Sequence, residues 1–404
     1  SIVRKTLGLK GFCVKEVKES EGQLLVYLVA DKRYRAVCSQ CGQKMPGYDT
    51  LGERRWKHVP LWGIGVVLIY APRRVKCTSC GVKVEKIAWT QGKSPLSVSL
   101  SVVLATWARE VAWQVVGRLF GFHWNTVRKA VKEVVEYGLE HRDMGDVLYI
   151  GIDEISRRKG HIYHTQIYDL IGKRLLWSGE GRSSSTLEAF CEQLGAKRCG
   201  QIEAVCCDMW APYVDVVRQR FPNAVMVFDK FHIVRHLLEA VDTVRRQEAR
   251  QLQAKNPELL KRTRYIWLKN PWNLTQQQRI RLSELEKLNL KINRAYLLKE
   301  AFRRFWNYLH PAWANRFLQQ WFWWATHSRL QPMRNFAWML RRHQENILSY
   351  FNVRIDNGAV EALNNKAKAM SHRAFGYRTA ETFKLALYHG LGKLPMPQLT
   401  HKFL

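Results

Sequence analysis

The sequence predicts a multidomain α+β protein, and three changes of pattern along its 404 residues carry that prediction. Short apolar runs broken by Gly and by paired cysteines occupy 1–92 and read as strands. Apolar residues at helical spacing follow over 93–143, and strand-like and helix-like segments then alternate over 144–234. A long basic stretch, 235–352, is helical in pattern and rich in Trp, and 353–404 returns to a short helix with a basic tail. No repeat of solenoid period and no low-complexity tract interrupts these segments.

The charge balance narrows the function. Lys and Arg total 65 against 34 acidic residues, a formal charge of +31. Such an excess concentrates polyanions near the surface and favours phosphate contacts that release counterions. Ribosome-associated and membrane-surface proteins share the property, so a nucleic-acid partner is favoured rather than fixed. No apolar run is long enough to span a bilayer, and the first residues, SIVRKTLGLKGF, lack the apolar core of a signal peptide. A cytoplasmic location is the expectation.

The nine cysteines are an odd number, which argues against a full disulfide framework. Cys38-Ser-Gln-Cys41-Gly and Cys77-Thr-Ser-Cys80-Gly are two near-identical knuckles. Each turn lets two thiolates face one tetrahedral ion, and the following Gly permits the tight backbone. A redox pair needs only one such motif, so Cys38, Cys41, Cys77 and Cys80 are expected to hold one structural Zn²⁺. The intervening RRWKHVP and GIGVVLIYAPRRVK read as strands of a zinc ribbon. Cys13, Cys191, Cys199, Cys206 and Cys207 show no ligand spacing and are expected to be core thiols.

After the ribbon, Val111, Val115, Val116 and Leu119 recur at helical spacing, as do Val127, Ala130, Val131 and Val134, with Gly121-Phe122-His123 between the runs. This is a helix-turn-helix pattern. Its second helix would present Asn125, Arg128, Lys129 and Lys132 for groove and phosphate contacts. His123 stands where a Ser or Thr cap is commoner. An ordinary packed hairpin with a solvated basic face is the plainer account of the same pattern.

From Val147 the segments VLYIGIDEIS, HIYHTQIYDL and KRLLWSGEG read as strands joined by turns at Gly160 and Gly172. The helix STLEAFCEQLG, the strand QIEAVCCDMW, the helix PYVDVVRQRF and a last strand NAVMVFDKFHIV follow. The order β-β-β-α-β-α-β is that of an RNase H-like fold, whose first and fourth strands are neighbours. Asp153 and Asp208 end those two strands, so their carboxylates would converge. Phosphodiester chemistry on two hard divalent ions needs such convergence, with a third acid arriving from beyond the last strand. RIDNGAVEALNNKAKAM fits that need: Asn357-Gly358 makes a turn, and Glu361, Asn365, Lys368 and His372 would share one face of the helix after it.

In these strings the chain resembles bacterial insertion-sequence transposases of the DDE type, the ISL3 family. GIDEISRRKGHIYHTQIYDL, WSGEGRSSSTLEAF, AVCCDMWAPY, VFDKFHIVRHLLEAVDTVRR and NGAVEALNNKAKAMSHRAFGYR carry the resemblance, with the CxxC ribbon and helix-turn-helix before them. It implies that Asp153, Asp208 and Glu361 are a triad holding two Mg²⁺ or Mn²⁺ ions, and that Asp229-Lys-Phe-His232 lies near the scissile phosphate. It also implies binding of double-stranded DNA at terminal inverted repeats and at a target. Strand cleavage and transfer of a 3′-hydroxyl would occur in a nucleoid-associated homodimer. Lys368 and Arg373 would then join the DNA contacts. Asp229, His232 and His236 read as a separate metal site or, in preference, as a hydrogen-bonded support, and His232 as a candidate direct participant. Glu154 is expected on the opposite strand face from Asp153, and Asp169 and Asp215 as ordinary surface or helix residues.

The stretch 235–352 is expected to be an all-helical insertion, with 353–404 completing the core. Most of Trp306, Trp313, Trp321, Trp323, Trp324 and Trp338 would fill its interior, with room for one to stack on a base. Two other classes share parts of this pattern: a transposase-derived DNA-binding protein without catalysis, and an RNase H-like structure-specific nuclease. Loss of one acid would mark the first, and all three are present. The second has no need of a ribbon, a helix-turn-helix and an insertion together.

Overall fold

The computed structural model describes residues 7, 9, 11–90, 92–158, 162–253, 256–355 and 357–397. The expectation for Gly160 and most of those for the chain ends lie outside these residues. Two compact units emerge, Ser1–Asp143 with Ala369–Leu404, and Met144–Lys368. Residues 369–404 therefore cluster with the N-terminal segments rather than with the core to which the sequence pattern attached them. Among the described residues no helix is long and apolar enough to cross a membrane.

In the first unit, β1 (Phe12–Ser20), β2 (Gln23–Ala30), β4 (Arg54–Leu61) and β5 (Ile64–Tyr70) form one sheet in the order β1-β2-β5-β4. A second sheet holds β3 (Gly47–Thr50), β6 (Arg73–Cys77) and β7 (Gly81–Val84). RRWKHVP and most of GIGVVLIYAPRRVK thus build a separate sheet, and only the end of the second string enters the ribbon. Burial explains the correction. β5 is apolar on both faces and packs with Val26, Trp56 and Trp89 in a core of its own. The ribbon core has just Ala36, Cys38, Val75 and Cys77. Tyr70 of β5 ties the two together by donating to Glu85 at 2.6 Å, a carboxylate that Arg73 of β6 pairs with at 2.6 Å.

Three helices follow: α1 (Val98–Glu110), α2 (Trp113–Phe120) and α3 (Trp124–His141). His123 does serve as the cap of α3, its Nδ1 accepting from the Asn125 amide at 3.3 Å. Val127, Ala130, Val131 and Val134 are buried as their spacing requires, but Leu119 is exposed because α2 buries only Val116 and Gly117. A later helix, α16 (Ala380–Leu391), packs on α3. Gly138 makes the close approach possible, since a Cβ there would stand 2.6 Å from that of Leu394.

The second unit is built on a five-stranded sheet of β8 (Tyr149–Arg158), β9 (Ile162–Asp169), β10 (Arg174–Glu180), β11 (Ala204–Cys207) and β12 (Val225–Phe228). The order is β10-β9-β8-β11-β12, antiparallel up to β8 and parallel beyond it, so the first and fourth strands are neighbours as expected. Helices α4 (Ser184–Leu194), α5 (Ala196–Cys199) and α6 (Ala211–Arg220) join these strands. The last strand ends at Phe228, earlier than the sequence pattern suggested. Asp229 caps α7 (Lys230–Leu252) by accepting from the Phe231 amide, which turns KFHIV into the first turn of a helix. Asp169, expected at the surface, is buried at the β9–β10 turn, where it accepts from the amides of Ile171 and Gly172 and from Arg174.

Helix α7 runs 23 residues without a break at 234/235 and carries the chain from the sheet into the helical region. There α8 (Arg264–Leu268), α9 (Gln276–Glu286), α10 (Lys291–Arg303), α11 (Pro311–His327), α12 (Gln331–Arg342), α13 (Gln344–Leu348) and α14 (Tyr350–Val353) pack around it, sharing one hydrophobic core with the sheet. Glu248 of α7 caps α10, accepting from the amides of Lys291 and Ile292 at 2.6 and 2.8 Å. Trp306 and Trp321 are core residues, but Trp313, Trp323, Trp324 and Trp338 stand 46–58% exposed. The buried stripe of α11 is Ala314, Leu318, Trp321 and Ala325, and the three exposed Trp of that helix fall off it.

One buried group makes the first unit sensitive to acid. His58 bonds Ser97, the cap of α1, at 2.8 Å, and burial pushes its pKa down to about 4. The unfolded chain binds this proton near the ordinary histidine value, so stability is full above it and falls as pH drops toward the folded value. The loss should reach about 3 kcal/mol at the acid end, and His58→Gln should remove that share while leaving the share of His389, which burial in the same unit pushes down to about 3. Thermal unfolding between pH 7 and 4 checks it; a wild-type slope no steeper than that of His58→Gln would contradict it.

Candidate active site and metal centre

The two knuckles meet. The donor sulfurs of Cys38, Cys41, Cys77 and Cys80 all lie within 4.8 Å of one another, with Cys41 and Cys77 at 3.5 Å. Four sulfurs around a tetrahedral zinc stand roughly 3.8 Å apart, so the donor set fits a closed structural Zn²⁺ site. Gly42 and Gly81 follow the knuckles with φ of 74° and 76°, as their left-handed turns require. Amides of Cys41 and Gln40 aimed at the Cys38 sulfur bring its pKa down to about 7, toward the thiolate that zinc binds. Cys191, Cys199, Cys206 and Cys207 are buried thiols, and Cys13 is half-buried.

The acidic site is a product of register. β8 and β11 pair in parallel with Cys206 beside Gly151, so Asp208 comes level with Asp153 two residues later. β11 and β12 pair with Cys207 beside Phe228, which brings Asp229 level with Asp208. Three carboxylates therefore stand in a row across three parallel strands, Asp208 and Asp229 just past the ends of β11 and β12, and Asp153 within β8. That strand runs on to Arg158 instead of ending at the acid as the sequence pattern suggested, because β9 goes on pairing with it. His232, one turn into α7, lies among them: 3.2 Å from Asp208, 3.7 Å from Asp229 and 3.9 Å from Asp153. Burial raises the pKa of Asp153 and lifts that of Asp229 to about 6. Asp208 is buried as well, but the imidazole beside it outweighs burial and holds it below the ordinary value. His232 is raised in turn, because the carboxylates, Asp208 foremost, outweigh its own burial.

Helix α15 (Gly358–Arg373) brings the remaining acid. Its first turn lies against β8 at Gly151, where a Cβ would stand 2.7 Å from both Asn357 Oδ1 and Val360 Cγ2. Glycine at 151 is what permits this approach. Glu361, Asn365 and Lys368 line the same cleft of about 960 Å³ as Asp153, Asp208, Asp229 and His232. Among the described residues only the cysteines close to within 4.8 Å as a group of three or more donors; Asp153, Asp208 and Glu361 share the cleft without forming so tight a group.

Sequence reasoning missed the buried Asn364. Its Nδ2 donates to Asp153 at 2.7 Å while its Oδ1 accepts from Tyr168 at 2.6 Å, a chain from β9 through α15 that fixes the Asp153 carboxylate. The buried stripe Val360, Asn364, Ala367 was the available signal. Glu154 turns to Tyr213 at 3.0 Å and Arg182 at 4.0 Å, at the edge of the same cleft. His236 also lines the cleft, 3.4 Å from Glu239.

In the first unit Asn125 and Lys129 are exposed on α3, and Arg128 and Lys132 lie 3.7 and 3.8 Å from Glu381 of α16. The Arg373 guanidinium donates to the carbonyls of Arg109 and Glu110, where it closes the end of α1 instead of standing free for DNA.

The small ribbon core depends on its metal. Stripping zinc with a strong chelator, or Cys38→Ser, should unfold the ribbon strands β3, β6 and β7 while leaving the second unit cooperative. Zinc content and hydrogen exchange read this; unchanged protection of β6 after complete zinc removal would contradict it.

A transposase family profile of the ISL3 group matches residues 150–387, and a profile described as the zinc-finger of transposase IS204/IS1001/IS1096/IS1165 matches 35–80. The transposase for insertion sequence element IS1001 of Bordetella parapertussis is 32% identical over 386 residues, 94% of this chain and 95% of that protein. The transposase for IS1557 of Mycobacterium tuberculosis is 29% identical over 380 residues, 85% of this chain and 83% of that protein. Knuckles, acids level on neighbouring strands and near-full-length similarity agree: the chain belongs to the ISL3 family of insertion-sequence transposases.

Proposed function

We propose that this chain cuts DNA at the ends of a bacterial insertion sequence and joins the resulting 3′-hydroxyls to target DNA. Family membership supports an enzyme that acts on DNA. The observation that carries the finer reading is the level pair Asp153 and Asp208 on adjacent parallel strands, facing Glu361 across one cleft. Two divalent ions, Mg²⁺ or Mn²⁺, held by these three carboxylates would activate the attacking oxygen and stabilise the leaving one.

The protein's own groups prepare that site. Asn364 fixes one oxygen of Asp153, and the Glu154 amide holds the other at 2.8 Å, so this carboxylate cannot rotate away from the cleft. The Met209 amide does the same for Asp208 at 2.7 Å. His232 stands among the three aspartates and keeps like charges in one place. Lys368, two turns beyond Glu361, supplies a cation for the phosphate.

The ribbon and helix-turn-helix are assigned to the terminal inverted repeats. Asn125 and Lys129 are the open residues of α3, and the loose pairs of Arg128 and Lys132 with Glu381 are weak enough to yield to a phosphate. Two ends must be joined in one event, so the acting species is a homodimer.

Asp153→Asn, Asp208→Asn and Glu361→Gln each remove one negative charge while keeping shape. Each should reduce cleavage and strand transfer of end DNA to the detection limit yet leave end binding within about twofold, as for a surface substitution remote from the reading helix. Glu154→Gln, bonded to Tyr213, should retain activity. Cleavage by all three triad variants at the wild-type rate would refute the metal-holding role.

A further inference from the structure

Beside the acids, the cleft holds a second chemical group. Arg182, in the loop between β10 and α4, has its guanidinium carbon 4.7 Å from the ring of Tyr163 and 5.6 Å from the ring of Trp210. The Trp210 Nε1 donates to the Arg182 carbonyl at 3.4 Å, and Arg182 stands 4.0 Å from Glu154. The two rings thus hold the guanidinium, with the carboxylate at the outer limit of an ion pair. Among the described residues its N–H groups make no hydrogen bond, and half of the side chain, 51%, is exposed. All four side chains line the same cleft as Asp208.

Trp210 follows Asp208 by two residues and occupies the N-cap of α6, where it makes no side-chain cap. Ser97, Ser183 and Asp229 cap other helices of the chain with hydrogen bonds. A bulky indole at a cap position, 43% exposed, serves neither the helix nor the core. Such a local breach of the folding rules marks a functional position.

We propose that Arg182 and Trp210 form a nucleotide subsite of the catalytic cleft. The guanidinium binds a backbone phosphate of the strand being cut, and the indole stacks on an unpaired base of that strand near the scissile bond. The pairing of a fixed cation with an open aromatic face is the chemistry that recognises single-stranded DNA. Tyr163 holds the guanidinium in place and touches no DNA. This subsite rests on the cleavage reading given above.

The test uses full-length protein and a series of element-end substrates, each with one abasic site at a successive position around the cleavage point. Single-turnover cleavage is measured for wild type, Trp210→Ala, Trp210→Phe and Arg182→Ala. On intact DNA, Trp210→Ala should cut about tenfold to a hundredfold more slowly than wild type, and Trp210→Phe should recover most of that loss. At one abasic position the gap between wild type and Trp210→Ala should vanish, because the base that the indole holds is gone. Arg182→Ala should slow cleavage of every substrate. If Trp210→Ala cuts intact DNA as fast as wild type, or if its defect persists undiminished at every abasic position, the subsite is refuted. Asp153→Asn, run alongside, keeps the two failures apart. An active Asp153→Asn overturns the cleavage reading, whereas an inactive one beside an unimpaired Trp210→Ala overturns only the subsite.

Discussion

Holding like charges together across three parallel strands is the constraint on which the second unit is built. Asp153, Asp208 and Asp229 come level because β8, β11 and β12 pair in register, and carboxylates so placed repel one another and resist burial. The fold answers with directed donors. Amides of Glu154, Met209 and Phe231 each hold one oxygen of a different aspartate, Asn364 holds a second oxygen of Asp153, and His232 stands among all three. A site that concentrates negative charge before any cation arrives is suited to take up hard divalent ions.

The elements that carry these donors are long, and they reach well beyond the site. Helix α7 begins at the acids and continues for 23 residues into the helical region, whose core is continuous with that of the sheet. Its Glu248 caps α10 at the far end, so the helix is anchored at both termini. The position of His232 is thus set by packing throughout the insertion as well as by the strand it follows. Helix α15 is placed by a close approach to Gly151, and the same contact presents Glu361 and Asn364 to the cleft.

Much of this was legible in the residues, and the lapses have physical causes. The cysteine knuckles could be read because a CxxC turn fixes ligand geometry within four residues. The nearness of Asp153 and Asp208 could be read because the strand order makes their strands neighbours. The end of β8 could not, since EISRR after Asp153 has no local stop signal and only its pairing with β9 extends the strand. VMVFDKFHIV was misread as all strand, since a short apolar run looks alike in strand and helix; the capping of α7 by Asp229 decides the boundary. On α15 the face of Glu361, Asn365 and Lys368 was found, but the polar residue within the buried stripe, Asn364, was passed over. The Trp residues of the insertion were weighted by type instead of by register, although the stripe of Ala314, Leu318, Trp321 and Ala325 leaves Trp313, Trp323 and Trp324 outside it. The separation of the ribbon from its neighbouring sheet had no local signal, because strands of either sheet look alike in sequence.

Cleavage on two metal ions requires Asp153, Asp208 and Glu361 to close around them. A crystal structure of the protein with cleaved element-end DNA and Mn²⁺, using anomalous scattering, answers this directly. Two manganese peaks about 3.5–4 Å apart, coordinated by these three carboxylates, are the predicted result. Manganese bound elsewhere, or Glu361 directed away from the peaks in the DNA complex, would contradict it.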